Sequence, residues 1–256
     1  MSFVPPESVA LGPFTVYLYS LFILLGLALG YLLAKPEARR LRIPLDALRM
    51  SIFYGLLPGI AGARLYHVLD RLDYYAAQPA QVFALWNGGL AILGGLAGGL
   101  LGLWFFARRQ RILLLRLLDV WAPSVLLAQA IGRFGNWTNQ EAFGPPTDAP
   151  WGVFIEPAHR PAEHAAAAHF HPTFLYEAGL NLLGLALLLA LRPRLRNKPG
   201  AVLGAYLVIY ATGRFAVEFL RFDTAQLAGL NVAQTAVVGL AAIGIWLLAR
   251  RPRQSR

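Results

Sequence analysis

Seven apolar runs, each about as long as a bilayer-crossing helix and most closed by arginine or lysine, leave this chain few ways to fold. They are Val16 to Ala34, Leu48 to Leu69, Val82 to Ala107, Ile112 to Gly132, Thr173 to Leu191, Ala201 to Leu220 and Val232 to Ala249. About 20 apolar residues in a helix match the hydrocarbon thickness of a membrane. Only helices and closed barrels satisfy every backbone group there. Charged residues make up 14% of the chain, against about 25% in a soluble domain. The expectation is an all-α integral membrane protein, a single polytopic domain over residues 1–256 with seven transmembrane helices. Residues 1–15 hold no Lys or Arg, so the basic region of a cleaved leader is missing. The absence of cysteine excludes disulfides, thiolate metal sites and a cysteine nucleophile of its own.

A net charge of +10 would suggest nucleic acid in a soluble protein. Here the basic residues sit in short loops between the apolar runs. Of the 23 Lys and Arg, seventeen fall in four alternate segments, residues 35–49, 108–116, 192–198 and 250–256, whereas the opposite segments hold Arg71 and Arg160. By the excess of basic residues in cytoplasmic loops, the N-terminus is expected outside and the C-terminus in the cytoplasm. The histidine- and proline-containing segment 142–172 is then extracytoplasmic. It is long for a connection, which suggests function.

The fourth run ends in Gly132-Arg133-Phe134-Gly135-Asn136-Trp137-Thr138-Asn139-Gln140-Glu141, followed by Gly144. An arginine, two asparagines and a glutamate at the end of an apolar helix are expensive to bury and mark a site that binds or reacts. The sixth run carries Tyr210, Arg214 and Glu218 at i, i+4 and i+8, one helix face. With this topology, both groups lie in the outer half of the membrane, with Tyr19 and the segment Trp86 to Gly89. Other readings stand beside this one. Arg214 and Glu218 can neutralise each other within a helix, Asn136 and Asn139 can join helices, and Arg133 can snorkel. Arg64 and Asp119 read as structural pairs. The glycines of the third run, Gly88 to Gly102, suit either close packing or a lipid against bare backbone. His159, His164, His169 and His171 read as loop residues rather than a metal site. Two arginines at head-group depth point to a phosphate, which a planar guanidinium grips in a fork.

These motifs closely resemble the family of phosphatidylglycerol–prolipoprotein diacylglyceryl transferases. The resemblance rests on Gly132 to Glu141 with Gly144, on Leu11-Gly12-Pro13 leading to Tyr19, on Asp119, Trp121 and Pro123, on His171 to Glu177, and on Arg214 to Arg221. It implies transfer of a diacylglyceryl group from phosphatidylglycerol to the lipobox cysteine thiol of a preprolipoprotein, releasing glycerol phosphate, in the bacterial cell membrane with the site on the extracytoplasmic side. No cofactor and no metal are implied. Arg133 and Arg214 are expected to hold the lipid phosphate. Tyr19, Asn136 and Glu141 are expected to be catalytic with them, and Asn139, Gly144, Tyr210 and Glu218 to bind lipid.

Two positions depart from the family pattern. Where the family has a histidine between two glycine pairs, thought to take the thiol proton, this chain has Leu93; the family's usual Asn-Gly-Glu is Asn139-Gln140-Glu141. Losing a general base costs about 10² to 10⁴ in rate. Two arginines facing a thiol would offset part of this by favouring thiolate, with Glu141, Tyr19 or a histidine of the 142–172 loop as acceptor. The alternative is a catalytically impaired relative that binds phospholipid or lipoprotein signal segments. A transporter ranks behind both, because few polar groups lie in the inner halves of the runs.

Overall fold

Leucine and alanine dominate the apolar runs, and both favour helix. The computed structural model, which describes residues 3–221, 226–227 and 230–250, has a helix along each of those runs, although in the third it starts late. The helices are α1 (Leu18–Arg40), α2 (Leu45–Asp70), α3 (Leu72–Ala77), α4 (Ile92–Arg109), α5 (Leu114–Thr138), α6 (Thr173–Leu195), α7 (Ala201–Glu218) and α8 (Val232–Ala249). Six of them, all but α3 and α4, are long and apolar enough to cross a membrane. The third run is helical only from Ile92; its first part, from Val82, is in 3₁₀ turns. The link through Asp223 and the tail arginines Arg251, Arg253 and Arg256 lie outside the described residues. The chain divides into two compact units, Lys35–Leu117 on the one hand and Met1–Ala34 with Leu118–Arg256 on the other.

Unit 35–117 is built on a close crossing of α2 and α4. Pro58 lacks the N–H that would bond the Tyr54 carbonyl four residues back. A Cβ at Gly102 would lie 1.9 Å from that oxygen. One turn along, a Cβ at Gly98 would be 2.2 Å from Pro58 O, and one at Gly94 2.2 Å from Gly62 O. Three glycines at i, i+4 and i+8 thus face three carbonyls at the same spacing, which decides for close packing at Gly94, Gly98 and Gly102. Gly102→Val should force the helices apart and lower stability by about 1–3 kcal/mol, read as a lower melting temperature in detergent.

Arg64, buried in α2, explains the late start of α4. Its guanidinium donates to the carbonyls of Val82 (2.9 Å), Gly88 (2.5 Å), Gly89 (3.0 Å), Ala84 (3.2 Å) and, by a short contact, Gln81. Carbonyls turned toward one arginine are not stacked along a helix axis. The structural reading of Arg64 holds, with backbone carbonyls as its partners.

The turns ending α1 and α4 share one geometry. Ile43 N–H reaches Ala38 O and Arg42 N–H reaches Arg39 O; Ile112 N–H reaches Ala107 O and Arg111 N–H reaches Arg108 O. This six-to-one and five-to-two pattern normally puts glycine at the left-handed residue. Here it is arginine twice, Arg42 at φ 58° and Arg111 at φ 53°, each costing about 1–2 kcal/mol relative to a right-handed conformation.

In the other unit, a hairpin of β1 (Ser8–Leu11) and β2 (Phe14–Tyr17) turns at Gly12 and leads into α1. Helix α1 packs on α5 at Gly30, where Ser124 Oγ donates to the Gly30 carbonyl at 2.7 Å. Helices α7 and α8 cross at Gly204 and Gly244, each bare Cα facing the other's carbonyl. Asp119 accepts from Gly200 N (2.6 Å) and Leu203 N (2.9 Å), so it satisfies orphan donors at the start of α7. Residues 139–172 fold over the junction of α5 and α6. Their short antiparallel pair, β3 (Val153–Phe154) and β4 (His169–Phe170), buries Phe143, Val153, Ile155 and Phe170 against Phe174.

Candidate active site

The end of α5 is shaped by one missing side chain. A Cβ at Gly135 would lie 2.2 Å from the Tyr19 ring, so Tyr19 packs directly on the helix between Arg133 and Asn136. Beyond the helix the chain turns through Gln140 (φ 49°) and Ala142 (φ 55°), left-handed on both sides of Glu141. Such conformations store roughly 1–3 kcal/mol each and persist only where the surroundings impose them. Gln140 Oε1 accepts from Glu156 N at 2.7 Å, and Thr173 Oγ1 donates to Ala142 O at 2.6 Å. The left-handed backbone accounts for the glycine usual at position 140 in the pattern described above. It also shows what this chain uses instead, a side chain tied to the overlying segment.

Three arginines converge on Glu177, in the second turn of α6. Arg133 Nη2 makes a short ion pair with Glu177 Oε2, and Arg214 Nη1 (3.4 Å) and Arg221 Nη1 (3.3 Å) share Glu177 Oε1. Arg214 Nη2 also lies 2.7 Å from Glu218 Oε2, off the direction of a hydrogen bond, so no donor is aimed at that buried oxygen. Asn231 Nδ2 donates to Glu218 Oε1 at 3.2 Å. The Glu177 side chain is 4% exposed, those of Arg133, Arg214 and Arg221 22%, 16% and 12%. These contacts gather three guanidiniums around two carboxylates. Arg133 also continues outward: its Nη1 donates to Asn136 Oδ1 (3.1 Å), and Asn136 Nδ2 donates to the exposed Glu141 (2.8 Å).

The expected self-neutralising pair of Arg214 and Glu218 is present, but as part of this larger cluster. Tyr210 stacks on Tyr206 and, with Glu177 and Arg214, lines a cavity of about 10 Å³, room for about one water. That cavity admits no anion larger than water. Gly144 is packed rather than open: a Cβ there would be 2.6 Å from Leu220 O and 2.7 Å from Thr173 Cγ2. Its value lies in letting residues 139–144 cross the start of α6. Asn139 is half-buried, with its N–H on Gly135 O at 3.0 Å. Among the loop histidines, His171 Nδ1 lies 3.0 Å from Tyr176 OH, His169 stands against Phe154, and His159 lies 3.5 Å from Glu7.

Comparison with known proteins identifies the lineage. Residues 6–250 match the family model for prolipoprotein diacylglyceryl transferase. A Gloeobacter violaceus protein named phosphatidylglycerol–prolipoprotein diacylglyceryl transferase is 43% identical over 251 residues, covering 96% of this chain and 93% of its own. Proteins of the same name from Acaryochloris marina and from Bacillus cereus strain G9842 are each 41% identical, over 244 and 250 residues, covering 95% of this chain and 88% and 91% of theirs. The chain belongs to the prolipoprotein diacylglyceryl transferase family. Two members of the cluster in this transferase-family chain, Glu177 and Arg221, are not among the site residues expected from sequence. Their signal was present, since Glu177 is an ionisable residue inside an apolar run.

In the unit 35–117 of this family member, Leu93 lies in the first turn of α4, 58% exposed. The segment Trp86 to Gly89 belongs to the same unit. A fifth histidine, His67, also escapes the sequence reading. A Cβ at Gly89 would lie 2.7 Å from His67 Nε2 and from Arg64 Nη1. The Gly88-Gly89 turn, with both residues at positive φ, is thus seated on two basic side chains of α2.

Proposed function

We propose that this protein transfers the diacylglyceryl group of phosphatidylglycerol to the lipobox cysteine thiol of preprolipoproteins. The observation that carries the reading is the convergence of Arg133, Arg214 and Arg221 on one buried carboxylate at the ends of apolar helices. A forked arginine cluster at that position suits the phosphate of a phospholipid. The thiol sulfur attacks the glyceryl carbon that bears the phosphate. The new S–C bond forms as the C–O bond breaks, and glycerol phosphate leaves with the electron pair. Arg133 and Arg214 stabilise the charge that gathers on the departing phosphate, usually the larger catalytic contribution. The same field favours thiolate over thiol. Glu141, linked to Arg133 through Asn136, or Tyr19 takes the thiol proton. Asn139, Gly144, Tyr210 and Glu218 form and support the lipid-binding face.

The same reading has seven spans, with α4 as the seventh. At about 1.5 Å per residue, its 18 residues reach roughly 27 Å. The N-terminus and segment 142–172 are extracytoplasmic, the C-terminus is cytoplasmic, and the whole is one polytopic domain of the bacterial inner membrane.

The test gives purified protein labelled phosphatidylglycerol and a lipobox peptide. Transfer of label to the peptide is expected; no transfer by folded protein would sink the reading. Leu93 favours a second reading, a non-catalytic relative that binds phospholipid or signal segments. It predicts lipid binding without turnover. Leu93→His separates the two. In an active enzyme it should raise kcat, by up to about 10²-fold, and add an acidic limb to the pH–rate profile near the ordinary histidine pKa of about 6.5. In an inert binder it should change nothing.

A further inference from the structure

The two arginines that occupy glycine positions lie at two copies of one sequence. Residues 38–43 read Ala-Arg-Arg-Leu-Arg-Ile and residues 107–112 read Ala-Arg-Arg-Gln-Arg-Ile. Each copy ends a helix with the same pair of backbone bonds, and each places its last arginine at positive φ. Neither Arg42 nor Arg111 is needed by its turn, since glycine would be easier there. A strained residue kept twice at the same position directs attention to its side chain.

Both side chains line the same space. Arg42, Arg111 and Arg116, with Leu41, Ile43 and Leu113, bound a cavity of about 370 Å³. A second cavity of about 580 Å³ shares Arg111, Ile112 and Leu113 and continues past Trp104 and Leu115. Both fall in the size range of ligand sites. The first is basic and edged with leucine and isoleucine; the second is largely apolar, with a tryptophan suited to a membrane interface. Among the described residues, neither Arg42 nor Arg111 is held by a carboxylate. Between residues 35–49 and 108–116 the acidic residues are Glu37 and Asp46, and they are engaged by Arg40 and Arg49 at 2.5 and 2.8 Å.

We infer that this paired turn is a binding site for the head group of an anionic phospholipid, with an acyl chain along the neighbouring apolar cavity. Arg42 and Arg111 grip the phosphate from two sides, and the repeat supplies the two-sidedness. With the topology proposed above, the site faces the cytoplasmic leaflet, whose anionic lipids draw basic segments. It is formed wholly within unit 35–117 and shares no residue with the Arg133–Glu177 cluster.

The glycine variants make an unusual test, because they remove the charge while relieving the backbone. Full-length protein and Arg42→Gly/Arg111→Gly are titrated in neutral detergent with phosphatidylserine, phosphatidylcholine or inorganic phosphate. Lipid adducts are counted by native mass spectrometry and melting is followed in parallel. The wild type should retain one phosphatidylserine more than the double variant, and phosphatidylserine should raise its melting temperature at least twice as much. Without lipid, the variant should melt at the same temperature or higher and keep its transfer activity. Arg42→Gln/Arg111→Gln should lose the same adduct. Equal adducts and equal shifts would overturn the site. Equal retention of phosphatidylcholine, or full displacement by inorganic phosphate, would overturn its assignment to anionic lipid. A lower melting temperature of the lipid-free glycine variant would assign the arginines to the fold instead.

Discussion

Arg133→Ala and Arg214→Ala should each lower diacylglyceryl transfer about 10³-fold or more, with the protein still folded. Losing one donor to a developing oxyanion typically costs about 10² to 10³ in kcat. Here a second loss adds to the first. Each arginine removed takes one positive charge from the cluster, while Glu177 and Glu218 stay behind. A dianionic leaving group then faces a less positive site. Arg133→Lys and Arg214→Lys should be milder, because charge is kept and only the planar fork is lost. Arg64→Ala is the contrasting control. Its guanidinium serves five carbonyls of the 81–89 turns, so it should lower folded yield rather than kcat of the folded fraction. Transfer assays on protein recovered by size exclusion separate the two. Activity within tenfold of wild type for either alanine variant would refute the phosphate assignment.

The six helices long and apolar enough to cross a membrane were legible because their apolar runs are long, and the last run, Val232–Ala249, agrees with α8 residue for residue. The third run was not, from Val82 to Ala91, because nothing in a hydropathy profile shows carbonyls being drawn to Arg64. The candidate site was half legible. Arg133, Asn136 and Glu141 lie within nine residues and declare themselves, and Arg214 with Glu218 follows the helix period. Glu177 is 44 residues from Arg133 and 37 from Arg214, and only folding makes it their common partner. Gly144 could be noticed in the motif but not interpreted. Its reason is steric, and the atoms it spares belong to Leu220 and Thr173.

Glu177→Gln should expose what that common partner does. The Glu177 carboxylate holds together the three guanidiniums proposed to receive the phosphate. Removing one member of a buried ionic cluster costs about 3–5 kcal/mol, so the variant should melt well below wild type in detergent. Phosphatidylglycerol should recover much of this. A ligand at a hundred times its Kd contributes about 2.7 kcal/mol, which is most of the lower estimate and about half of the upper. The lipid-induced rise in melting temperature should therefore be larger in Glu177→Gln than in wild type, because the phosphate no longer competes with a resident carboxylate. Kinetics should split in the same sense. KM for phosphatidylglycerol should fall, and kcat should fall with it, since tighter ground-state binding and slower release of glycerol phosphate both follow from the extra positive charge. A merely structural glutamate would lower stability without changing KM. If Glu177→Gln is destabilised but responds to phosphatidylglycerol no more than wild type does, the lipid phosphate does not bind where Glu177 now sits.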